Sequence, residues 1–413
     1  MRKILKRLSA SLVVLTLGAA AAGCGGAAGG QDDGDGPIRI GLSTYLTGNF
    51  AAAGIPMRDG AEAWAAMVND AGGIDGRQVE IVTKDDAGEQ AKALQNLREF
   101  ASDGIHLVVP NGTSSICAAM GPVAQQLGTV VVGGCKDPSL LPPDGPKNYY
   151  MADLSQDSFA KAAGVLAADR FSDIKTWDVY TMDYLTGKTT AEQVTEEIQK
   201  QQPGAKVDQT VFTPMAATDQ RSYISSLQSR ATGDKRGLYV YLFGSLAPNF
   251  VKQATAAGLF DRYDVVLFQS LTDQILDAVG ADLPEVWGIS DFIPQSYEDV
   301  AEHEALRKAY EAKFPDQEYP WGHFAATNAL SAFKAAVEKA GSTDPQEVQK
   351  ALDDGLSFTN HKGEVTVANH YLASSVAMAK CQGDSASSRG WTCDLADTIP
   401  AADVTAPEFL PGG

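Results

Sequence analysis

The sequence predicts an α/β protein with two lobes, each a parallel sheet covered by helices on both faces. Three observations carry this. Short β-rich runs alternate with helix-length amphipathic segments from residue 38 onward, the pattern of strands joined by crossover helices. The alternation stops at a Pro/Gly-rich stretch, 138–146, and then restarts. About 375 residues follow the polar N-terminal segment, more than the ~250 to 300 that one hydrophobic core usually serves.

In the first run, strands are expected over 38–43, 79–84, 105–109 and 129–132, with helices over 56–70, 90–103 and 115–127. The first of these helices ends on Gly72 and Gly73, which accept the left-handed backbone of a helix stop, and a tight turn leads into the next strand. The second run reads as helix 156–171, strand 176–181, helix 188–201, strand 207–212, helix 220–232, strand 238–243, helix 248–257 and strand 264–268. No tandem repeat underlies this; only the architecture recurs. The remaining third holds helices over 300–314, 324–339 and 345–353, then extended segments around 363–367 and 374–381. Helices of this size do not stand alone in water, so this part is expected to return and complete both lobes.

The N-terminus carries Arg2, Lys3, Lys6 and Arg7 without an acid, then an apolar stretch from Leu8 to Ala22, then Gly23-Cys24. That is the layout of a secretory signal peptide over 1–23, too short for a spanning helix. Ala21-Ala22-Gly23-Cys24 is similar to a bacterial lipobox, with Ala21 where Leu is usual, so Cys24 is expected to be lipidated. Residues 24–37 have almost nothing to bury and read as a flexible tether. The expected location is the extracellular face of a bacterial cell membrane, held there by lipid alone.

The chain has 33 Lys and Arg against 52 Asp and Glu; without the four signal-peptide bases the balance is 29 to 52, a net charge of −23. Such a surface repels nucleic acid. Besides Cys24 there are Cys117, Cys135, Cys381 and Cys393, which should be oxidised outside the cell. Three pairings are possible, and the sequence-local one, Cys117 with Cys135 and Cys381 with Cys393, is expected because it closes two short loops. Neither pair has the C-x-x-C spacing of a zinc site, and no metal or cofactor is expected.

Catalytic motifs are thin. The five His form no H-E-x-x-H, and no G-x-S-x-G is present. Leu185-Thr-Gly-Lys-Thr189 has the tail of a phosphate loop, but Met182 stands where its first Gly would be, so Gly187 reads as an ordinary helix start. No enzymatic activity is expected. Ligands of open parallel sheets bind outside the carboxyl ends of the strands, here the turns over 44–53, 111–115, 133–137, 183–187, 243–246 and 269–273. In Asn111-Gly-Thr-Ser-Ser115, hydroxyls and free N–H groups at a helix start suit a carboxylate. Ser114 can also cap that helix, and the two roles coexist.

With these residues in place, the sequence resembles the leucine/isoleucine/valine-binding (type I periplasmic binding protein) family, the substrate-binding lipoproteins of ABC importers. The resemblance runs from about Ile38 to Lys380. It is carried by Leu46-Thr-Gly-Asn49 with Gly54, Val68-Asn-Asp-Ala-Gly-Gly-Ile-Asp-Gly76, Asp85-Asp86, Phe250-Val-Lys-Gln-Ala254 with Gly258-Leu259, and Ala340-Gly-Ser-Thr-Asp-Pro345, in that order. It implies two Rossmann-like lobes joined by three crossing strands, near 152–155, 291–294 and 365–371. Lobe 1 is then 38–152 plus 293–365, and lobe 2 is 153–292 plus 366–400. A monomer that closes on a small amino acid or carboxylate and hands it to an ABC permease is the implied function. A ligand-sensing receptor for a partner protein uses the same fold; an extracellular hydrolase would need a nucleophile or metal that the motifs do not supply.

Carried over residue by residue, the family's carboxylate ligand after the third strand falls on Thr113, beside Ser114. A second carboxylate contact falls on Lys136, with the small residue two places earlier on Gly134. Aromatic lids fall on Tyr184 and near Phe243. The aromatic expected soon after Thr47-Gly48 is Ala53, so that wall is smaller unless Phe50 fills it. Where amino-acid binders set an acid against the ligand's ammonium, this chain has Gln269 or Ser270, with Asp273 slightly beyond. A neutral group there forfeits a charge-assisted hydrogen bond worth ~1.5 to 3 kcal/mol. With Lys136 adding a positive charge, the expectation is a pocket for an anionic carboxylate without an α-ammonium; the opposing reading turns Lys136 to solvent.

Overall fold

The computed structural model describes residues 36–48, 50–233, 235–321 and 325–410. Residues 1–35, on which the expected signal peptide, the expected lipidation at Cys24 and most of the expected tether fall, lie outside the described residues, as does Asn49 of the Leu46–Asn49 turn.

The chain opens with β1 (Ile38–Thr44), α1 (Ala51–Asp70), β2 (Val79–Asp85), α2 (Gln90–Ser102), β3 (Leu107–Asn111), α3 (Ser114–Gln126), β4 (Val130–Gly133) and β5 (Tyr149–Met151). It continues with α4 (Gln156–Asp169), β6 (Thr176–Met182), α5 (Leu185–Gln201), β7 (Lys206–Thr213), α6 (Arg221–Arg230), β8 (Arg236–Tyr241), α7 (Leu246–Ala256), β9 (Val265–Gln269), α8 (Asp273–Asp277) and β10 (Val286–Ser290). The last third supplies α9 (Ala301–Lys313), α10 (Ala325–Ala340), α11 (Pro345–Asp353), β11 (Leu356–Asn360), β12 (Gly363–Ala368), β13 (Tyr371–Ala373), β14 (Val376–Gly383), β15 (Trp391–Ile399) and α12 (Ala401–Val404).

Two sheets result. The first has the order β11-β12-β13-β5-β4-β3-β1-β2 and the second β15-β14-β10-β9-β8-β6-β7. In each, the five strands that alternate with helices run parallel, because a crossover helix returns the chain to the same end of the sheet. Late strands are added to one edge of each: β13 pairs parallel with β5, and β14 pairs antiparallel with β10. The parallel strands are buried on both faces, as in Leu107–Asn111 and Thr176–Met182, which are buried at every position. Burial of each large apolar side chain in such a layer contributes about 1.5 to 3 kcal/mol.

The chain passes between sheets after β5, after β10, and through Ser374 and Ser375 after β13. The last passage corrects the expectation of a crossing over 365–371. Residues 366–373 belong with the first sheet, where Tyr371 pairs with Met151 and closes the otherwise open edge of β5. Helices α9 and α10 pack on α1, so the last third covers the first lobe before the chain leaves it. Both sequence-local disulfides are present, Cys117–Cys135 and Cys381–Cys393.

Candidate functional site

A cavity of about 150 Å³ lies where the carboxyl ends of the two sets of parallel strands face each other. Its lobe 1 wall comes from Tyr45 after β1, Thr113 and Ser114 after β3, and Gly134 and Lys136 after β4. Its lobe 2 wall comes from Tyr184 after β6, Tyr241 and Phe243 at the end of β8, and Thr272 and Gln274 after β9. The lips touch: Gln274 Nε2 donates to Ala52 O at 2.9 Å, and the rings of Phe50 and Phe243 stack with centroids 5.5 Å apart. A void of the same volume in another protein admits one benzene ring, so the contents of this one are small.

Helix starts dominate its polar character. Thr113 is the N-cap of α3, its side chain makes no capping bond, and its Oγ1 meets Ser115 Oγ at 2.9 Å instead. Thr113 and Ser114 both line the cavity. Tyr184 caps α5 and Gly244 precedes α7, so three helix N-termini converge on the cleft with N–H groups that have no partner inside their helices. Gly134 is required by packing: a Cβ there would come within 2.8 Å of the Ala325 Cβ of α10.

Lys136 lines the cavity, but its charge is already engaged by two carboxylates. Its Nζ lies 3.1 Å from Asp153 Oδ2, bonds Asp291 Oδ2, and sits 4.8 Å over the Phe159 ring. Burial opposes its charge, but Asp153 and Asp291 outweigh this and hold it above the ordinary lysine range. Burial and the neighbouring Asp291 charge push Asp153 well above the carboxylate range; burial works against Asp291 too, yet Lys136 holds it below. Asp153 and Asp291 stand on the first and second passages between lobes. Lys362, buried in the β11–β12 turn, donates to Ser374 Oγ on the third at 2.9 Å. The expected electropositive pocket is corrected on this ground: the positive charge is spent on the hinge.

Gln269 is also corrected. It is fully buried beneath the wall, accepting from Tyr239 and donating to Gln156 Oε1 at 2.6 Å. Gln156 Nε2 in turn donates to Tyr241 OH, which meets Tyr184 OH at 3.1 Å. Gln269 therefore positions two phenols rather than touching a ligand, and its neighbour Ser270 is the one at the cavity. Burial pushes the Tyr241 phenol up to about 12, so it stays neutral. Asp273 faces away, 3.4 Å from Arg389 Nη2. Ala53 itself lines the cavity, while Phe50 packs beside it, tilted against Tyr45 at 5.6 Å.

Sequence reasoning did not single out Tyr45, Asp153, Gln156, Tyr241, Asp291 or Gln274. Tyr45 and Tyr241 stand at strand carboxyl ends, a signal the strand boundaries carry. Asp153 and Asp291 sit at the passages, where a charged residue inside an apolar context was the available clue.

Two sheets with helices, joined by three passages around a cleft, define a two-lobed binding protein. The sequence model of the periplasmic binding protein family matches residues 37–386, and the chain belongs to that family. It is an extracytoplasmic solute-binding protein of the ABC-importer kind, in a family of binders rather than enzymes. Among its relatives is the leucine-, isoleucine-, valine-, threonine- and alanine-binding protein of Pseudomonas aeruginosa, 28% identical over 326 residues, 76% of this chain and 82% of that one. A solute binding protein of an ABC transporter from Rhodopseudomonas palustris, solved with 3,4-dihydroxybenzoic acid, superposes with a TM-score of 0.76 at 17% identity, covering 90% of this chain and 99% of that one. The branched-chain amino acid transporter substrate binding protein of Streptococcus pneumoniae, solved with isoleucine, gives 0.72 at 20% identity over 88% and 99%.

Proposed function

We propose that this protein captures a small carboxylate carrying a second hydrogen-bond donor, an amino acid or a hydroxylated aromatic acid, and presents it to an ABC permease as a monomer anchored through lipid on Cys24. The observation that carries this is the convergence of three helix N-termini and of Thr113 and Ser114 on a cavity of about 150 Å³ between the lobes. Those groups suit the carboxylate. At the hinge side Asp291 lines the cavity, so a ligand hydroxyl or ammonium there faces a carboxylate. Aromatic walls from Tyr45, Tyr184 and Phe243 suit an apolar body between the two ends. The isoleucine and dihydroxybenzoate relatives each hold a ligand of this pattern.

Because the ligand touches both lobes only when they meet, binding shifts the population toward closure, the state a permease can read. A thermal-shift screen of amino acids, hydroxybenzoates and their amides, followed by calorimetry, tests the reading. A ligand at 100 times its dissociation constant stabilises by ~2.7 kcal/mol. Binding of an amide as tightly as its parent acid would sink the carboxylate assignment. Radiolabelled fatty acid failing to enter the wild-type protein, in cells that lipidate others, would sink the anchor.

A further inference from the structure

The hairpin of β14 and β15 touches no part of the cavity, yet it spans the two lobes. Cys381 and Cys393 face each other across it and are disulfide-bonded. Arg389 in its turn is fixed to lobe 2 by Asp277 Oδ1 at 3.0 Å and Asp273 Oδ2 at 3.4 Å, and its guanidinium lies 4.7 Å over the Trp391 ring. Trp391 Nε1 donates to Asp277 Oδ1 at 2.7 Å. Both acids belong to α8, whose Thr272 cap and Gln274 form the cleft wall. On the other side, Arg389 Nη1 reaches Glu318 Oε2 at 2.8 Å, and Trp391 meets Trp321 edge to face at 5.3 Å. Glu318 and Trp321 lie on the segment that joins α9 to α10, in lobe 1. Both indoles are buried, at 2% and 6% exposure, so parting the lobes here wets a large apolar contact.

We infer that Arg389 and Trp391 are positioning residues that clasp the lobes shut at the flank of the cleft, raising the population of the closed form before any ligand arrives. The inference rests on the hinged-clamp reading but not on the identity of the ligand. A larger closed fraction in the free protein lowers the apparent dissociation constant by the same factor. The exposed Arg389–Glu318 pair adds little by itself; the indole contact and the bracing of α8 carry the effect.

Small-angle scattering and interlobe fluorescence transfer on the ligand-free full-length protein test this. The wild type is expected to be largely closed. Trp391→Ala should lower the closed fraction roughly three- to tenfold, and Glu318→Arg, which sets a second guanidinium against Arg389 from the lobe 1 side, about twofold, while Trp391→Phe retains most of it. Glu318 is exposed, so its variant does not endanger folding, and a melting curve confirms the same for the others. Unchanged scattering in both Trp391→Ala and Glu318→Arg, with wild type that still closes on ligand, overturns the clasp and leaves the clamp standing. A wild type that no ligand moves overturns the clamp itself.

Discussion

Gln274 of lobe 2 donates to the carbonyl of Ala52 in α1, and Pro56 is the reason that carbonyl is available. Pro56 lies inside α1 and has no N–H to return to the residue four places earlier. The helix thereby presents an unused acceptor at the lip of the cleft. Gln274→Ala should weaken ligand binding roughly three- to tenfold through faster release. Pro56→Ala supplies the missing N–H: the melting temperature should rise while affinity falls. Stopped-flow release kinetics beside a melting curve separate the two effects, and a Pro56→Ala protein that binds more tightly contradicts the account.

Gly54 lies where α1 presses on the turn before it. A Cβ there would sit 1.9 Å from Tyr45 O, a backbone atom with nowhere to go. Gly54→Ala should displace Tyr45 from the cavity wall, costing about 2 kcal/mol of stability or more and at least tenfold in affinity. Calorimetry with any ligand found in the screen checks it; near-wild-type binding would show that the turn yields without moving Tyr45.

The Cys117–Cys135 bridge ties the second turn of α3 to the residue beside Lys136, across 18 positions of chain. Its loss in Cys117→Ala/Cys135→Ala should cost about 3 kcal/mol of stability, and more in affinity than the equivalent removal of Cys381–Cys393, because only the first bridge holds two walls of the cavity together. Denaturant unfolding and calorimetry on the two double variants decide the ranking.

Asp273 is pushed up to about 6, first by burial and then by Asp277, with Arg389 opposing. A carboxyl raised in the folded state above its unfolded value near 3.8 favours folding in its protonated form. That contribution is complete below the unfolded value and is lost as pH rises through about 6. The difference in stability between wild type and Asp273→Asn should therefore change between pH 4 and 7, moving in favour of the variant as pH rises, and stay flat above. A pH-independent difference would place the Asp273 carboxyl in the ordinary range.

The parallel framework was legible because strand and helix periods differ and alternate over the first two thirds of the chain. Elements that escaped are those whose pattern is too short or too charged to show a period. Tyr149–Met151 has three residues, Asp273–Asp277 five, and Trp391–Ile399 carries two aspartates on an edge strand. The helix α1 begins at Ala51 rather than at residue 56, since a proline in its second turn interrupts one hydrogen bond without ending the helix. Thr113, Ser114, Gly134, Lys136, Tyr184 and Phe243, which the family resemblance supplied within turns that follow parallel strands, all line the cavity, and the place of those turns is a property of local chain order. Gln269 follows the same rule by position and fails by direction, since its side chain points beneath the wall.

By itself the amino-acid order determined which segments become strands, that they divide into two sheets, where each turn falls relative to a strand end, and which cysteines lie near enough to join. Only the tertiary structure decided the charge of the pocket. A lysine read along the chain is a free cation. The same lysine, brought beside Asp153, 17 residues on, and Asp291, 155 residues away, is a neutralised hinge pin, because a buried charge is tolerable only when opposite charges from distant segments are folded against it.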